Sequence, residues 1–449
     1  MANTTRRQAI QLSRGPSSSI LHLLDHPQFV FWCFGLFLLL RSLTLLIPLE
    51  MGSDAAWYLS RAAGIAAGAG YSEGGYPTAY WPVGYPGFLG ALFWLLGPSQ
   101  IVGGIANLVC AAASFFLVHA LTRHFFQNDR AAALAVALLT IYPNNIAYVP
   151  LILTETYFTF LILLGSYLLV VRRTASCLIA AGLVFGLMAL TKPQSVFVPG
   201  FLALLWLFTA DGRRQRWAVI GRISLVYILM ASVLVPWAIR NTVVFGDLVF
   251  VSTNGGANLL SGNNPEADGR YSAAASLREQ HNFSVKDQVA ADKRARQLAM
   301  DWIKTNPGSF LALMPLKIFH FWGPDGEGES SYQSGFKNYE KYHSLFRGAR
   351  ILNQAFYFVL ILGFIAAIFP LWRNRKKTAW PWPLFGYVFC GYLTLIAMVF
   401  FGQSRFHFPA MPWIIMTVAW AAVHLCEKRA ASIARLIDKI TIINFHNYK

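Results

Sequence analysis

The chain has 449 residues, of which 56% are hydrophobic and only 13% are charged. Soluble domains carry about 25% charged residues, so this composition excludes an ordinary soluble protein and predicts an integral membrane protein. The net charge of +17 stands in short runs between apolar segments, which is typical of cytoplasmic loops and predicts a lipid bilayer, not nucleic acid, as the partner.

Ten apolar segments are predicted membrane spans, since a spanning helix needs about 20 mostly apolar residues. They cover residues 29–49, 101–122, 131–146, 154–171, 177–189, 196–210, 217–237, 351–371, 381–401 and 408–426. No small-residue cleavage site follows the first span, so we expect it to be retained. Placing every basic run in the cytoplasm makes the spans alternate in direction, with cytoplasmic ends at 1–28 and 428–449.

Two further apolar stretches, 84–96 and 310–322, are short and break this alternation if they cross. We expect them to be interfacial or re-entrant helices on the outer side, with short spans as the alternative, for a total of ten to twelve. The predicted fold class is an all-α polytopic membrane protein with one transmembrane domain over 29–427. Its outer segments are 50–100, 238–308 and 323–350.

The longest outer segment also contains a predicted soluble helix. Ser284 is a suitable N-cap for it, and Asp287 follows three residues later. Apolar residues at 295, 298, 299 and 302 share one helical face, and Asn306-Pro307-Gly308 ends the pattern.

Polar residues collect at the outer ends of the predicted spans. Charged groups at membrane depth are costly unless they are partnered, so each one requires a reason. The segments concerned are Asp54, Glu73, Thr154-Glu155, Thr191-Lys192-Pro193, 237–241, 262–265 and 403–407.

Two acids in this set have alternative interpretations. Asp54 follows the first span, where Ser53 or Asp54 could cap a helix that begins at Ala55. Asp54 could equally be a general base that deprotonates a hydroxyl or an amine. Glu155 could mark the membrane interface, orient an acceptor or pair with a cation.

Three cations on the same side run against the positive-inside bias: Lys192, Arg240 and Arg405. Lysine and arginine suit an anionic phosphate, which arginine engages bidentately. Snorkelling is the alternative for Lys192, and bridging of loop carbonyls is the alternative for the arginines. Three such cations on one face with a carboxylate favour a site for a phosphate leaving group.

The sequence has no Gly-rich nucleotide motif, Walker lysine, zinc signature or Ser-His-Asp spacing. A soluble nucleotide donor would be scarce on the outer face. A membrane-embedded donor fits better, and we expect neither a cofactor nor a metal.

The order of these motifs resembles the GT-C membrane glycosyltransferases, in particular the bacterial relatives of protein O-mannosyltransferases and aminoarabinose (lipid A) transferases. The resemblance covers about residues 29–426. It is carried by Asp54, Gly70-Tyr71, Trp81-Pro82-Val83-Gly84-Tyr85-Pro86, Thr154-Glu155, Leu190-Thr191-Lys192-Pro193, 236–241, Gly262-Asn263-Asn264-Pro265 and 405–409.

Such enzymes move a sugar from a polyprenyl-phosphate carrier to a glycan, lipid or protein acceptor on the periplasmic side of the inner membrane, with inversion. The resemblance implies that Asp54 is the catalytic base and that Lys192, Arg240 and Arg405 bind the carrier phosphate. Donor or acceptor binding is implied for Glu155, Tyr58, Glu73, Tyr85, Asn263, Asn264 and His407.

One feature departs from the family. Several members carry a second acid directly after the first, whereas Ala55 follows Asp54 here. Unless Glu73 or Glu155 substitutes, Asp54 is a single base, and a divalent metal is disfavoured because hard cations need more oxygen ligands.

Two other functions remain open. One is a carrier or flippase for a lipid-linked sugar, although carriers often show inverted repeats and broken mid-membrane helices. The other is a GT-C-like polymerase or ligase that uses a diphosphate-linked glycan.

Overall fold

The computed structural model describes residues 16–271 and 287–446, and this part of the chain is almost wholly helical. The helices are α1 Pro16–Leu24, α2 Phe29–Thr44, α3 Ser53–Ala66, α4 Gly84–Leu96, α5 Gln100–Phe126, α6 Asp129–Ile141, α7 Pro143–Ala147, α8 Thr154–Tyr167, α9 Ala175–Thr191, α10 Val198–Phe208, α11 Ala210–Arg214, α12 Arg216–Phe245, α13 Gly255–Gly262, α14 Gln288–Thr305, α15 Pro307–Trp322, α16 Glu327–Gly335, α17 His343–Arg373, α18 Phe385–Val399 and α19 Met411–His446. Strands β1 Ser72–Glu73 and β2 Tyr76–Pro77 form a short antiparallel hairpin.

Six of the ten predicted spans coincide with described helical segments that are long and apolar enough to cross a membrane. These segments are Gln100–Phe126, Thr154–Arg172, Arg216–Phe245, Glu340–Arg373, Trp382–Val399 and Ser404–Arg435. The other four predicted spans coincide with shorter helical segments, α2, α6, α9 and Pro193–Phe208. The fold class is confirmed, and the number of spans stays a prediction.

The predicted short helices are also present. Residues 84–96 form α4, and 310–322 lie within α15. The predicted soluble helix is α14, which ends at Thr305 as Asn306-Pro307 requires, because proline disfavours helix at the residue before it. Its expected cap, Ser284, lies outside the described residues.

The long helices divide into central and peripheral members. In the apolar windows of Ser404–Arg435 and Thr154–Arg172, 78% and 72% of the residues are buried. The corresponding shares for Arg216–Phe245 and Glu340–Arg373 are only 17% and 28%. The bundle is therefore built around α8 and α19, while α12 and α17 present apolar side chains outward, as lipid-facing helices do.

A buried arginine joins α2 to the end of α6. Arg41 donates to the backbone carbonyls of Leu139 and Thr140, at 2.9 and 3.2 Å, and to the Asn145 side chain at 2.6 Å. The last carbonyls of a helix lack partners within the helix, and its C-terminus favours a positive charge. Arg41 thus satisfies the end of α6, and its burial has a structural explanation.

An aromatic cluster holds the first outer loop against α3. The Trp57 ring centroid lies 4.5 Å from that of Trp81 and 5.8 Å from that of Tyr71. The hairpin between them turns at Gly74 and Gly75, whose φ angles of 57° and 82° are in the region that favours glycine. The Gly- and Tyr-rich run therefore forms a tight, aromatic-packed support for the residues that follow Gly52.

Candidate active site

A cavity of about 1270 Å³ opens where α3 and α8 begin and where α9 and α18 end. Four of the charged side chains that line it come together where these helices meet and are called the polar wall: Asp54, Glu155, Lys192 and Arg405. Apolar side chains from α8, α10 and α18 form another wall: Phe158, Val198, Phe389, Leu393, Ile396 and Ala397. The cavity thus combines charge with an apolar surface in one space.

Helix N-termini position both acids of the polar wall. Asp54 lies in the first turn of α3, and Glu155 lies in the first turn of α8. The N-terminus of a helix carries partial positive charge and favours a carboxylate. The N-cap of α3 is Gly52, and no side chain caps this helix end, so the cap interpretation of Asp54 is not what the structure shows.

The end of α9 positions Lys192. This residue directly follows Thr191, the last residue of α9, where the helix dipole favours a cation. Gly84 of α4 packs so closely here that a Cβ atom would lie 2.6 Å from the Thr191 backbone nitrogen. The glycine of the Trp81–Pro86 motif therefore allows α4 to fix the end of α9 beside the cavity.

The four charges form two ion pairs. Arg405 Nη1 lies 2.8 Å from Asp54 Oδ2, and Lys192 Nζ lies 3.1 Å from Glu155 Oε1. The Glu155 side chain is only 2% exposed, so Lys192 neutralises a carboxylate that water hardly reaches. Arg405 Nε is buried and has no hydrogen-bond partner among the described residues, which leaves one donor of this guanidinium unused.

Tyr58 completes the floor beside Asp54. It lines the cavity, and its side chain is buried. Burial, followed by the charge of Asp54, raises the pKa of the Tyr58 hydroxyl well above its ordinary value. The phenol therefore stays protonated near the two acids.

Arg240 is not among the described residues that line the cavity. Its guanidinium donates to the backbone carbonyls of Thr78 and Tyr71, each at 2.9 Å, and to Asn241 Oδ1 at 3.0 Å. The structure therefore gives Arg240 the carbonyl-bridging alternative and does not bring it together with Lys192 and Arg405.

Five more sequence candidates lie outside the described cavity lining: Glu73, Tyr85, Asn263, Asn264 and His407. Glu73 accepts from Trp57 Nε1 at 3.1 Å and pairs with Arg61 at 3.5 Å. Fully buried Tyr85 donates to Asn107 Oδ1 at 3.2 Å. These two residues support the walls of the site from behind.

The two asparagines stabilise the 262–265 turn. Asn263 accepts from the buried Lys317 ammonium at 2.8 Å, and Asn264 donates to the Leu260 carbonyl at 2.9 Å. Their side-chain groups are occupied by the protein itself. His407 is fully buried behind the cavity wall, where it contacts Asp325.

Sequence reasoning missed a basic rim on α14. Lys293, Arg296 and Lys304 line the outer part of the cavity, on the same helical face as Val289 and Met300. Spacings of three and four residues put these side chains on one face, a signal that the sequence did contain. Asp325 was also missed, because no motif surrounds it.

The acids that line the cavity are not grouped as a set of metal ligands among the described residues. No group of three or more His, Cys, Asp or Glu side chains in 16–271 and 287–446 is arranged to hold one. Asp54 and Glu155 are each paired with a cation, which competes for the oxygens a hard metal ion would need.

Comparisons with known proteins agree with this architecture. Residues 82–239 match the family model described as dolichyl-phosphate-mannose-protein mannosyltransferase. The match covers Glu155 and Lys192, while Asp54 and Arg405 lie outside it. No curated protein matches the chain.

Solved structures of an archaeal oligosaccharyltransferase and of ArnT match the chain. The oligosaccharyltransferase AglB from Archaeoglobus fulgidus, in complex with an inhibitory peptide and a dolichol-phosphate, is 14% identical, with a TM-score of 0.51 over 91% of this chain and 52% of that chain. The same enzyme in complex with Zn and sulfate is 16% identical, with a TM-score of 0.52 over 92% and 51%. ArnT from Cupriavidus metallidurans, bound to undecaprenyl phosphate, is 13% identical, with a TM-score of 0.44 over 92% and 80%.

The chain spans about half the length of the oligosaccharyltransferase that it matches. The resemblance to GT-C glycosyltransferases is confirmed, and the fold is of the GT-C type.

Proposed function

We propose that this chain of GT-C fold is an inverting glycosyltransferase that moves a sugar from a polyprenyl-phosphate-linked donor to an acceptor at the outer side of the inner membrane. The observation that carries the proposal is the cavity itself. It sets a carboxylate, Asp54, and two cations, Lys192 and Arg405, beside an apolar wall at the end of the helical bundle.

The donor's two chemical halves match the two walls. Lys192 and Arg405 line the cavity and supply positive charge for the phosphate. Val198, Phe389 and Leu393 supply an apolar surface for the first isoprene units. A soluble sugar nucleotide would have no use for that apolar wall.

In this proposal, Asp54 acts as the general base. It removes the proton from the acceptor hydroxyl or amine, and the acceptor atom forms a bond to the anomeric carbon. The bond from that carbon to the phosphate oxygen breaks on the opposite face, and its electron pair leaves with polyprenyl phosphate. One displacement of this kind inverts the anomeric carbon.

Fixed cations lower the barrier of this step. Charge develops on the phosphate oxygen as the bond breaks, and preorganised donors stabilise that charge more strongly in a water-poor site. Arg405 contacts Asp54 through Nη1 and also lines the cavity, so one side chain adjoins both the base and the proposed phosphate position.

Connectivity supports an outer-facing cavity. The segment Thr154–Arg172 begins at the cavity and ends in Arg172-Arg173, whereas α12 begins in the basic run 213–216 and ends before the cavity residues 248–255. The basic runs and the cavity thus lie at opposite ends of these helices. With the runs in the cytoplasm, the cavity faces the periplasm or exterior.

The test is transfer by the purified protein in lipid nanodiscs. A panel of polyprenyl-phosphate hexoses and pentoses is supplied with glycan, lipid and peptide acceptors, and the release of polyprenyl phosphate is measured. We expect Asp54→Asn to lower turnover by about 10²–10⁴-fold, the range for loss of a general base. Asp268→Asn is the matched control, because this exposed carboxylate pairs with Arg270 on the surface and does not line the cavity.

Near-normal turnover in Asp54→Asn, in protein that remains folded, would remove the base assignment. Activity only with diphosphate-linked glycans would indicate a polymerase or ligase. Movement of intact donor across a vesicle membrane, without cleavage of the sugar–phosphate bond, would indicate a carrier.

A further inference from the structure

A buried pair of an acid and a histidine lies behind the cavity wall. Asp325 and His407 are 1% and 0% exposed, and His407 Nε2 lies 3.2 Å from Asp325 Oδ1. Asp325 also accepts from the Tyr142 hydroxyl and from the Asn144 amide, each at 2.5 Å. The carboxylate is therefore surrounded by donors from different parts of the fold.

Both ring nitrogens of His407 face oxygen atoms of the protein. Nδ1 faces the Phe321 backbone carbonyl at 2.5 Å, and a carbonyl only accepts, so Nδ1 donates. Nε2 faces the Asp325 carboxyl group at 3.2 Å. Trp322 and Tyr357 stack nearly parallel to the imidazole, with centroids at 5.6 and 5.0 Å, so the ring orientation is fixed on both of its faces and at both nitrogens.

This buried pair adjoins the proposed phosphate site through one short segment. Residues Ser404–Ala410 form a 3₁₀ helix that contains both Arg405 and His407. A 3₁₀ helix rises about 2.0 Å per residue, so the two residues are separated by about 4 Å along its axis. Arg405 reaches Asp54 in the cavity, while His407 reaches Asp325 behind it.

Asp325 fixes this segment to the rest of the bundle. Tyr142 and Asn144 come from the junction of α6 and α7, and Asn353, which also donates to Asp325, comes from α17. A buried ion pair is a weak source of stability, because desolvation offsets its Coulombic attraction. Its directional contacts nevertheless define where the 404–410 segment lies.

We propose that the Asp325–His407 pair is a positioning device that holds Arg405 against Asp54 and the donor phosphate. The two residues act through Arg405 and do not touch the substrate. This inference rests on the proposed function for the identity of the phosphate ligand.

The first test measures binding of a sugar-free polyprenyl phosphate to the full chain in nanodiscs. We expect Asp325→Asn and His407→Leu to weaken binding about tenfold, the size of effect that coupled neighbouring residues show. His407→Gln retains a side-chain donor toward Asp325 and should recover part of the affinity. Arg173→Met is the matched control: it removes a partly buried cation that lies over Trp206 at the other end of the bundle, and it should bind like the unmodified protein.

The second test is a double-mutant cycle. In an Arg405→Gln background, Asp325→Asn should weaken phosphate binding less than about twofold, because its effect is transmitted through the missing guanidinium. Tyr142→Phe removes one hydrogen-bond donor to Asp325 and keeps the Asp325–His407 pair. It replaces Asp325→Asn in the cycle if that variant does not fold, and it should cause a smaller loss of phosphate affinity. Full additivity with Arg405→Gln, or unchanged binding in both pair variants, overturns the inference.

A readout without any ligand separates this inference from the proposed function. Thermal unfolding of Asp54→Asn, Arg405→Gln and their double variant gives the coupling between these residues. That coupling should be present in the unmodified protein and be lost when His407→Leu is added; its full persistence would refute the positioning role. Failure of the unmodified protein to bind polyprenyl phosphate, with the coupling lost as expected, would refute the phosphate assignment alone.

Discussion

Arg405 and Arg240 look alike in the sequence, yet they occupy different kinds of site. Arg240 lies at the end of one predicted span, shortly after Trp237. Arg405 lies at the beginning of another predicted span, directly before Phe406, and both positions were predicted on the outer side. In the structure, Arg405 lines the cavity and pairs with the Asp54 carboxylate. Arg240 instead donates hydrogen bonds to the Tyr71 and Thr78 carbonyls and to the neighbouring Asn241 side chain.

The acceptor decides what each arginine is suited to do. The Asp54 carboxylate holds the Arg405 guanidinium at the cavity. A second anion, such as a phosphate that enters the cavity, can therefore approach the same cation. Backbone carbonyls are neutral and fixed, so the same guanidinium closes a loop and has few donors left. Arg405 is thus suited to catalysis, and Arg240 connects the first outer loop to α12.

The largest effect on sugar transfer is expected from the removal of Arg405, the arginine that is bound to a carboxylate. Arg405→Ala should lower sugar transfer by about 10²–10³-fold, the usual cost of losing one preorganised donor at a developing charge. Arg405→Lys keeps the charge without the planar fork and should retain part of the activity. Single-turnover kinetics at saturating donor make the comparison; a loss below about tenfold in Arg405→Ala would contradict the assigned role.

A smaller effect, on donor affinity, is expected at Lys192, the other cation of the polar wall. Replacing it alone leaves Glu155 unpaired in a nearly waterless position, which costs about 3–5 kcal/mol of stability. The Lys192→Met, Glu155→Gln double variant avoids that cost by removing both charges, and Glu155→Gln alone, which keeps the cation, shows how much of the effect belongs to the carboxylate. We expect the double variant to bind the donor about tenfold more weakly. Lys337→Ala, which removes an exposed lysine paired with Glu50, should leave donor affinity unchanged. Equilibrium binding of radiolabelled donor reports both, and equal affinity in the double variant would exclude Lys192 from the phosphate site.

Local features of the fold followed from the sequence because local patterns determine them. Residues 84–96 were predicted as a short apolar helix and form α4 with those bounds, since Gly97, in a positive-φ conformation, ends it. The soluble helix α14 ends where Asn306-Pro307 predicted. Predicted span 131–146 was drawn too long, because Pro143 begins a separate short helix, α7.

The partners of the charged residues did not follow from the sequence. Nothing near Arg240 or Arg405 tells which one meets a carbonyl and which one meets a carboxylate, since Tyr71 and Asp54 lie far away along the chain. His407 was recognised from the 405–409 motif, but its burial against Asp325 depends on the packing of α15, α17 and the α6–α7 junction. The order of the motifs, which resembles that of a known family, predicted these positions as site residues. Only the tertiary contacts distinguish residues that line the cavity from residues that pack behind its wall.

The smallest effect on donor binding is expected at Arg240. Arg240→Ala removes hydrogen bonds to two loop carbonyls, and unsatisfied buried polar groups cost about 1–3 kcal/mol each, so the thermal unfolding temperature should fall. Protease cleavage in the first outer loop should become faster because the Tyr71 and Thr78 backbone loses its tie to α12. Donor affinity, measured on the folded fraction, should stay within about twofold of the unmodified protein, since Arg240 does not line the cavity and its guanidinium is bound to loop carbonyls. A tenfold loss of affinity without loss of stability would show that Arg240 reaches the phosphate after all, and the distinction between the carbonyl-bound and the carboxylate-bound arginine would then fail.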